Sequence, residues 1–269
     1  MTADVDVIIV SFNTRDDLDH CLRSLHDARP ASVARIIVVD NASTDGSPDL
    51  VRSRWPAVTL MSLDRNAGFG AANNAALKTT AAPLALLLNS DTVVPAGAID
   101  ALRERLFSRD AVAAGPRLVD GTGLAELSFG PMLTPLGELV QRWRGRVAAR
   151  PDHWAANHLR RHLAAERYVD WVSGACMLLR VRAAAAAGFF DERYFMYEED
   201  VDLCAALRLC GGRILYTPAT EIVHLRGRSV AAGAGTVHYD KSHLAFYEKH
   251  APGWAPWLRA WLRMRGRLR

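Results

Sequence analysis

Short apolar runs and stretches with helical spacing alternate along the first hundred residues. The apolar runs are continuous and rich in Val, Ile and Leu, which is typical of strands buried on both faces; they cover residues 5–10, 35–39, 58–63 and 84–88. The intervening segments predict helices at residues 15–25, 47–54, 70–79 and from Pro95 to about 107. Strands that alternate with helices imply mostly parallel pairing and right-handed crossovers. The pattern therefore predicts an α/β fold, Rossmann-like, with helices on both faces of a mostly parallel central sheet.

The pattern changes beyond residue 111, where helices dominate. It predicts a strand and turn at 111–123, a basic helical stretch at 131–167 and a strand at 169–180 that Gly174 interrupts. A helix at 198–209, ended by Gly211-Gly212, and two short strands at 214–216 and 221–224 follow. The tail is helical from Tyr239, with breaks near Pro252 and Pro256.

Two carboxylates lie directly after predicted strands. Asp40 follows the run at 35–39 and Asp91 follows the run at 84–88. Ligands of open parallel sheets bind beyond the carboxyl ends of the strands, so both residues are candidates for one ligand crevice. The alternative is that each carboxylate only begins a turn, a position that Asp favours.

Several separated motifs resemble the inverting glycosyltransferases of family 2, which have the GT-A fold. They are Ser-Phe-Asn at 11–13, Asp-Asn-Ala-Ser-Thr-Asp-Gly-Ser at 40–47, Asn-Ala-Gly-Phe-Gly at 66–70 and Asn-Ser-Asp at 89–91. The resemblance extends to about His250. It implies a nucleotide-sugar-binding half at 1–110, an acceptor-binding and catalytic half at 111–250, and a basic Trp/Arg-rich tail at 251–269.

The resemblance implies a donor site and a metal site at the strand ends. Asp40 would accept a hydrogen bond from the N3–H of uracil or thymine. The other implied donor-binding residues are Ser11, Asn13, Asn66, Gly68, Asn89, Ser90 and Asp91. Asp91 would bind Mg²⁺ or Mn²⁺, which prefer oxygen ligands, although Asn89 stands where the family has the first Asp of Asp-x-Asp.

The segment after the last predicted strand resembles the family's late His-x-x-Gly-x-Ser motif. His224 would be a second metal ligand, and Arg226, Arg228 and Ser229 would contact the diphosphate. The alternative for His224 is a strand-end histidine that is hydrogen-bonded to backbone.

The aromatic and acidic segment at 189–203 resembles the family's catalytic-base motif. Asp200 would be the general base and Glu199 its neighbour, which holds the acceptor or tunes the base. Trp171, Gly174 and Ala175 would line the acceptor side. The alternatives are acids that only complement a helix dipole and an ordinary core tryptophan.

Composition narrows the functional classes. Half the residues are hydrophobic and the net charge is +4, so a sizeable core forms and general disorder is excluded. No apolar run approaches the roughly 18 residues of a membrane span, and no secretory signal begins the chain. The four cysteines lack metal-type spacing and indicate reduced thiols in a cytoplasmic protein.

The tail favours contact with a membrane surface. It carries Trp254, Trp257 and Trp261 among arginines, and no acid follows Glu248. A peripheral position at the inner face of the cell membrane would suit a polyprenyl-diphosphate-linked saccharide acceptor. The alternatives are a solvated basic end and a self-association helix that forms a homodimer. No motif for nucleic-acid binding is present.

Among family 2 enzymes, the motifs most resemble bacterial rhamnosyltransferases, which implies dTDP-β-L-rhamnose as the donor. The alternatives are a UDP-hexose or UDP-HexNAc transferase of the same fold and a non-catalytic nucleotide-sugar-binding subunit. A third is an NAD(P) oxidoreductase, because Gly68-Phe69-Gly70 follows a strand and opens a helix, although Asn73 replaces the third glycine.

Overall fold

The computed structural model describes residues 2–148, 154–225 and 234–268. The strands within them are β1 Val5–Ser11, β2 Val33–Asp40, β3 Thr59–Ser62, β4 Leu84–Asn89, β5 Thr92–Val93, β6 Ala113–Val119, β7 Phe129–Gly130, β8 Arg167–Val169, β9 Trp171–Val172, β10 Cys176–Arg180 and β11 Ile214–His224. The helices are α1 Arg15–Ala28, α2 Ser47–Arg54, α3 Phe69–Leu77, α4 Ala98–Ser108, α5 Pro135–Ala148, α6 Ala156–Leu163, α7 Val181–Ala186, α8 Glu199–Leu209, α9 Ala234–His250 and α10 Ala255–Met264.

A central mixed sheet organises the molecule in the order β3-β2-β1-β4-β10-β6-β11-β5, with β8 also paired to β11. The first four strands are parallel, as predicted. β10 is antiparallel to both β4 and β6, while β11 and β6 are parallel. β7 and β9 form a separate two-stranded sheet.

The central strands bury both of their faces. Along β1, Val5, Val7 and Ile9 join one apolar cluster, and Ile8 joins the other. This alternation places successive side chains on opposite faces of the sheet. Helices cover both faces, which explains why the sequence shows continuous apolar runs here rather than a polar alternation.

Two predictions for the second half need correction. Residues 214–224 form one strand, β11, and not two, because its pairing with β6 continues past a register shift between Thr217 and Glu221. Residues 169–180 do not form one interrupted strand, since β8, β9 and β10 are separate and pair with different neighbours.

The helical tail also differs from its prediction. The predicted break near Pro252 is present between α9 and α10, but α9 begins before Tyr239 and Pro256 lies in the first turn of α10. Proline is tolerated there because the first turn has no partner for its N–H group. No helix in the described ranges is long and apolar enough to cross a membrane. All four cysteines are free thiols, and Cys210 is exposed.

Candidate active site

The carboxyl ends of three neighbouring strands form one edge of the sheet. β1 lies between β2 and β4, with Ser11 in register with Asp40, and Val10 in register with Asn89. The topology therefore brings together the strand-end residues that the sequence singled out, at the edge where open parallel sheets bind ligands.

Asp40 is buried at the end of β2 with one carboxylate oxygen unused. Its Oδ2 accepts a hydrogen bond from the backbone N–H of Ser43 at 3.2 Å. Its Oδ1 is buried and has no hydrogen-bond partner among the described residues. Because an unpaired buried carboxylate oxygen is costly, this atom is suited to a donor group from a ligand.

Side chains fix the loop that follows Asp40. Asn13, in a left-handed conformation with φ of 53°, donates its backbone N–H to Ser43 Oγ at 3.0 Å. Its Oδ1 accepts the backbone N–H of Thr44 at 2.8 Å. Asp45 accepts the backbone N–H of Arg15 at 2.8 Å, so its side chain caps the N-terminus of α1.

The loop before α3 is held equally closely. Asn66 Oδ1 accepts hydrogen bonds from Asn41 Nδ2 at 2.9 Å and from the backbone N–H of Gly68 at 3.0 Å. Gly68 has a φ of +89°, and a Cβ there would lie 2.3 Å from the carbonyl oxygen of Phe195. Glycine is therefore required where this loop contacts the segment that leads to Asp200.

Three hydroxyl groups are linked beneath the strand ends. Thr14 Oγ1 lies 3.0 Å from Ser11 Oγ and 2.9 Å from Ser90 Oγ, and all three residues are buried. No pattern marks Thr14 as part of the site, because the contact with Ser90 spans distant parts of the chain.

His224 forms ion pairs with two carboxylates, those of Asp91 and Glu126. His224 Nε2 lies 3.3 Å from Asp91 Oδ1, and Nδ1 lies 3.1 Å from Glu126 Oε2. Burial lowers the pKa of His224, but the two carboxylates outweigh it and raise that pKa to about 9. The sequence gave no signal for Glu126, which lies in an irregular segment between β6 and β7.

Asp91 and His224 would hold a divalent cation only if the cation displaced the proton that pairs His224 with Asp91. Within the described residues, no group of three or more His, Cys, Asp or Glu is arranged to hold a metal ion. One carboxylate and one imidazole suit Mn²⁺, and cations of this class commonly rely on few protein ligands plus phosphate and water. The side-chain amide of Asn89 also lies at this position, with its Nδ2 3.4 Å from His224 Nε2.

Asp200 is the second residue of α8 and is connected by hydrogen bonds to the end of β4. Its Oδ2 accepts the backbone N–H of Gly174 at 2.8 Å, and the next carbonyl, that of Ala175, accepts the backbone N–H of Asn89 at 2.9 Å. Burial raises the pKa of Asp200. Phe69 packs against the same point, since a Cβ on Gly174 would lie 3.1 Å from the ring and 3.3 Å from Asp200 Cβ.

Glu199 is a buried neighbour of this carboxylate. Its Oε2 has no hydrogen-bond partner among the residues that the structure describes. Burial, and then the charge of Asp200, raise the pKa of Glu199 well above its usual range. Two adjacent acids with raised pKa values are typical of a site that holds or moves a proton.

A buried ion-pair cluster supports the turn before α8. Glu198 has a left-handed backbone with φ of 65°, and its carboxylate contacts His243 Nδ1 at 2.6 Å. His243 Nε2 lies 3.1 Å from Glu138, which also accepts a hydrogen bond from the Tyr247 hydroxyl. We call Glu138, Glu198, His243 and Tyr247 the histidine cluster. The sequence gave no indication of it.

The remaining candidates are placed differently. Trp171 donates its indole N–H to the carbonyl of Pro131 at 2.8 Å and packs against Gly130, so both contacts serve the fold, and its acceptor role remains a prediction. Arg226, Arg228 and Ser229, predicted to contact the diphosphate, lie outside the described residues.

Comparison with known proteins decides the family. The sequence profile described as "Glycosyl transferase family 2" matches residues 6–162. An N-acetylglucosaminyl-diphospho-decaprenol L-rhamnosyltransferase of Mycobacterium tuberculosis is 32% identical over 98% of this chain and 90% of its own. The chain belongs to glycosyltransferase family 2. It is thus a glycosyltransferase, and the family resemblance read from the sequence is confirmed.

Further relatives and solved structures agree with this assignment. Rhamnosyltransferase WbbL of Escherichia coli is 46% identical over 21% of each chain. The structure of GalNAc-T7 with UDP, GalNAc and Mn²⁺ matches with a TM-score of 0.66, 15% identity, and coverage of 92% of this chain and 48% of that one. A mannosyltransferase of Pyrobaculum calidifontis with GDP-Man and Mn²⁺ has a TM-score of 0.62, with 17% identity, and covers 97% and 69%. These structures support the predicted GT-A fold.

Proposed function

We propose that this family 2 enzyme transfers L-rhamnose from dTDP-β-L-rhamnose, with inversion, to a hydroxyl of a saccharide or lipid-linked saccharide. The likeness to the mycobacterial rhamnosyltransferase supports the sugar. One structural observation supports the transfer chemistry, namely that the proposed base and the proposed nucleotide site lie at the same sheet edge. Asp200 is joined through Gly174 and Ala175 to the end of β4, at the sheet edge that also holds Asp40.

The donor nucleotide binds at the ends of β1 and β2 in this proposal. The unpartnered Oδ1 of Asp40 accepts the N3–H of the base, a group that thymine and uracil share. Asn13 and Asn66 hold the two adjoining loops in place, and Gly68 allows the second loop to approach the segment before Asp200.

Asp91 and His224 would hold a divalent cation, Mg²⁺ or Mn²⁺, with His224 giving up the proton that pairs it with Asp91. When bound, the cation neutralises charge that builds up on the leaving diphosphate. Asp91 lies where the ends of β4 and β11 meet. Its backbone carbonyl accepts the N–H of Leu225 at 2.9 Å and so connects the two strand ends.

Asp200 acts as the general base. It takes the proton of the acceptor hydroxyl while that oxygen forms a bond to the anomeric carbon and the bond to the dTDP oxygen breaks. Attack on the face opposite dTDP turns the β-configured donor into an α-L-rhamnoside. The raised pKa of Asp200 suits a base, since a stronger base accepts the proton more readily.

A UDP-hexose or UDP-HexNAc donor is the second candidate. Asp40 is compatible with it, because the carboxylate does not distinguish the N3–H of uracil from that of thymine. An N-acetylglucosaminyltransferase of Bradyrhizobium elkanii, 29% identical over 43% of this chain and 66% of its own, is also similar to it.

A thermal-shift panel separates the two donors. dTDP-rhamnose, UDP-glucose and UDP-GlcNAc are each tested with and without Mn²⁺, because a ligand that binds the native state raises the unfolding temperature. We expect the largest rise with dTDP-rhamnose plus Mn²⁺. A larger rise with a UDP-sugar would replace the rhamnosyl assignment, and no rise with any nucleotide-sugar would contradict donor binding.

A further inference from the structure

A groove lined by aromatic side chains lies on the helical side of the molecule. α5 and α10 flank it, α9 forms its base, and its volume is about 400 Å³. We call it the aromatic groove; its aromatic lining residues are Tyr239, Tyr247, Trp254, Trp257 and Trp261, and Leu139 of α5 is among its apolar ones. Glu138 and His243 of the histidine cluster also line it.

α5 presents an apolar stripe to solvent beside the groove. Leu136, Leu139 and Trp143 are all exposed, Leu136 by 72% of its surface. Their spacing of three and four residues places them on one face of the helix. A globular core does not account for this stripe, because the same helix already buries Gly137 and Val147.

α10 presents a second stripe on the opposite wall. Trp254, Trp257 and Met264 are exposed, Trp257 by 73%, and Trp261 lies between them at the same helical spacing. The buried residues of this helix are Ala255 and Leu262. Both walls of the groove thus expose large apolar side chains, a combination that marks an interaction surface.

The charge around these stripes is positive, because the two acids that line the groove, Glu138 and Asp240, are each paired with an arginine. No acid follows Glu248 in the sequence, and Glu248 itself pairs with Arg259. Arg146 and Arg263 are exposed and make no ion pair with any residue that the structure describes. Arg265 lies over the ring of Trp261, with its Cζ 4.8 Å from the ring centroid.

We propose that α5 and α10 together dock on an anionic lipid bilayer, with both stripes inserted at the level of the headgroups. Tryptophan prefers this interface because its body is apolar and its N–H is polar. Arginine keeps its charge among the headgroups while its stem lies along apolar surface. The excess of arginine over acid selects anionic over zwitterionic lipid.

Docking would hold the segment that carries Asp200 close to the bilayer. The histidine cluster at the base of the groove includes Glu198, which precedes Glu199 and Asp200 in the chain. This consequence rests on the proposed function, because a base held near the bilayer serves a lipid-linked acceptor. The docking itself does not depend on that function and can be measured without substrate.

Vesicle flotation tests the docking with the full chain. One set of vesicles is pure phosphatidylcholine, and in the other about a third of the lipid is phosphatidylglycerol. We expect the wild type to float with the anionic vesicles only, and less so in high salt, which screens surface charge. Equal binding to both sets, or to neither, would overturn the proposal.

Two pairs of variants locate the surface. The double variant Leu139→Ser/Trp257→Ser removes apolar contact with the bilayer, and Arg263→Glu/Arg265→Glu reverses the charge of two basic residues. Each double variant should lower partitioning into anionic vesicles at least about tenfold. For the charge reversal this follows because each basic residue near such a surface contributes about fivefold. The matched controls are Leu209→Ser, at the C-terminal end of α8, and Arg182→Glu, in α7; both residues are exposed and neither lines the aromatic groove. Equal losses in the controls would contradict the assignment.

The same variants exclude a second copy of the chain as the occupant. Light scattering should show that the wild type and the Leu139→Ser/Trp257→Ser variant have the same mass without vesicles. A dimer that dissociates in this variant, together with no vesicle binding, would overturn the proposal and assign the surface to self-association. Unchanged circular dichroism confirms that each variant is folded before its binding is compared.

Discussion

Asp40 and Asp200 are carboxylates at the same edge of the sheet, and their hydrogen bonds give them different chemistry. Asp40 keeps one buried oxygen without a partner, so it can accept a donor from a ligand. Asp200 receives backbone N–H groups from Gly174 and Val201, which fix its direction, while burial raises its pKa. One residue thus suits recognition and the other suits proton transfer.

Asp40→Asn should weaken dTDP binding about ten- to a hundredfold, because a hydrogen bond to a charged acceptor is lost. Calorimetric titration measures this. A nucleotide methylated at base N3 should bind the wild type as poorly, and should bind Asp40→Asn with no further loss. Asp49→Asn, exposed on α2, is the control. Additive losses from the two changes would show that Asp40 does not contact N3.

Asp200→Asn should lower kcat at least about a hundredfold while leaving the dissociation constant for the donor unchanged, because only the base is removed. Steady-state transfer and donor titration are measured together. Glu192→Gln, an exposed carboxylate in the preceding loop, should transfer sugar normally. Turnover of Asp200→Asn near that of the wild type would remove Asp200 from the role of base.

At the scale of elements, the strands and helices predicted most accurately are those that a local pattern of apolar residues determines. The bounds of β1, α2 and β4 follow from continuous apolar runs and helical spacing, and the structure confirms them within a few residues. β11 was divided in the prediction, because polar residues interrupt a strand that its neighbour β6 holds together. Long-range pairing decides such cases, and a single sequence does not display it.

Gly68→Ala tests the contact between the α3 loop and the segment before α8. Gly97→Ala is a matched control, with φ of +76° and open space around the missing Cβ, so it should lose only about 1–2 kcal/mol of stability to backbone strain. Gly68→Ala should lose about 2 kcal/mol more, because its Cβ would meet the carbonyl of Phe195. Urea unfolding measures the free energy of unfolding of both variants. Equal losses of stability would show that the segment around Phe195 shifts to make room for the added Cβ.

At the scale of the whole molecule, the histidine cluster joins three elements distant in sequence. Glu138 on α5, Glu198 before α8 and His243 on α9 meet in the interior. The motifs at strand ends were visible because their residues are close in sequence. Glu126 and the histidine cluster were not, since their roles arise only when remote segments pack together.

His243→Gln should cost stability that depends on pH. Burial lowers the pKa of His243, but Glu138 and Glu198 outweigh it and raise the pKa to about 9. The charged form therefore stabilises the fold fully below the unfolded pKa of about 6.5, and this contribution disappears as pH rises through about 9. The other titratable groups beside it, the phenols of Tyr239 and Tyr247, have raised pKa values and stay neutral over this range.

Urea unfolding between about pH 6 and pH 10 measures the difference in the free energy of unfolding between wild type and variant. We expect this difference to shrink steadily as the pH rises. His20→Gln, exposed on α1, should show no such trend. A difference that stays constant over the whole range would show that His243 is not charged in the folded protein.

The crystal structure of Asp200→Asn with dTDP-rhamnose and Mn²⁺ tests the central claim most directly, because this variant should hold the donor without consuming it. We expect base N3 within hydrogen-bond distance of Asp40 Oδ1, the diphosphate beside Asp91, and the anomeric carbon facing residue 200. A donor bound away from the ends of β1, β2 and β4, or with its sugar directed away from residue 200, would contradict the central claim.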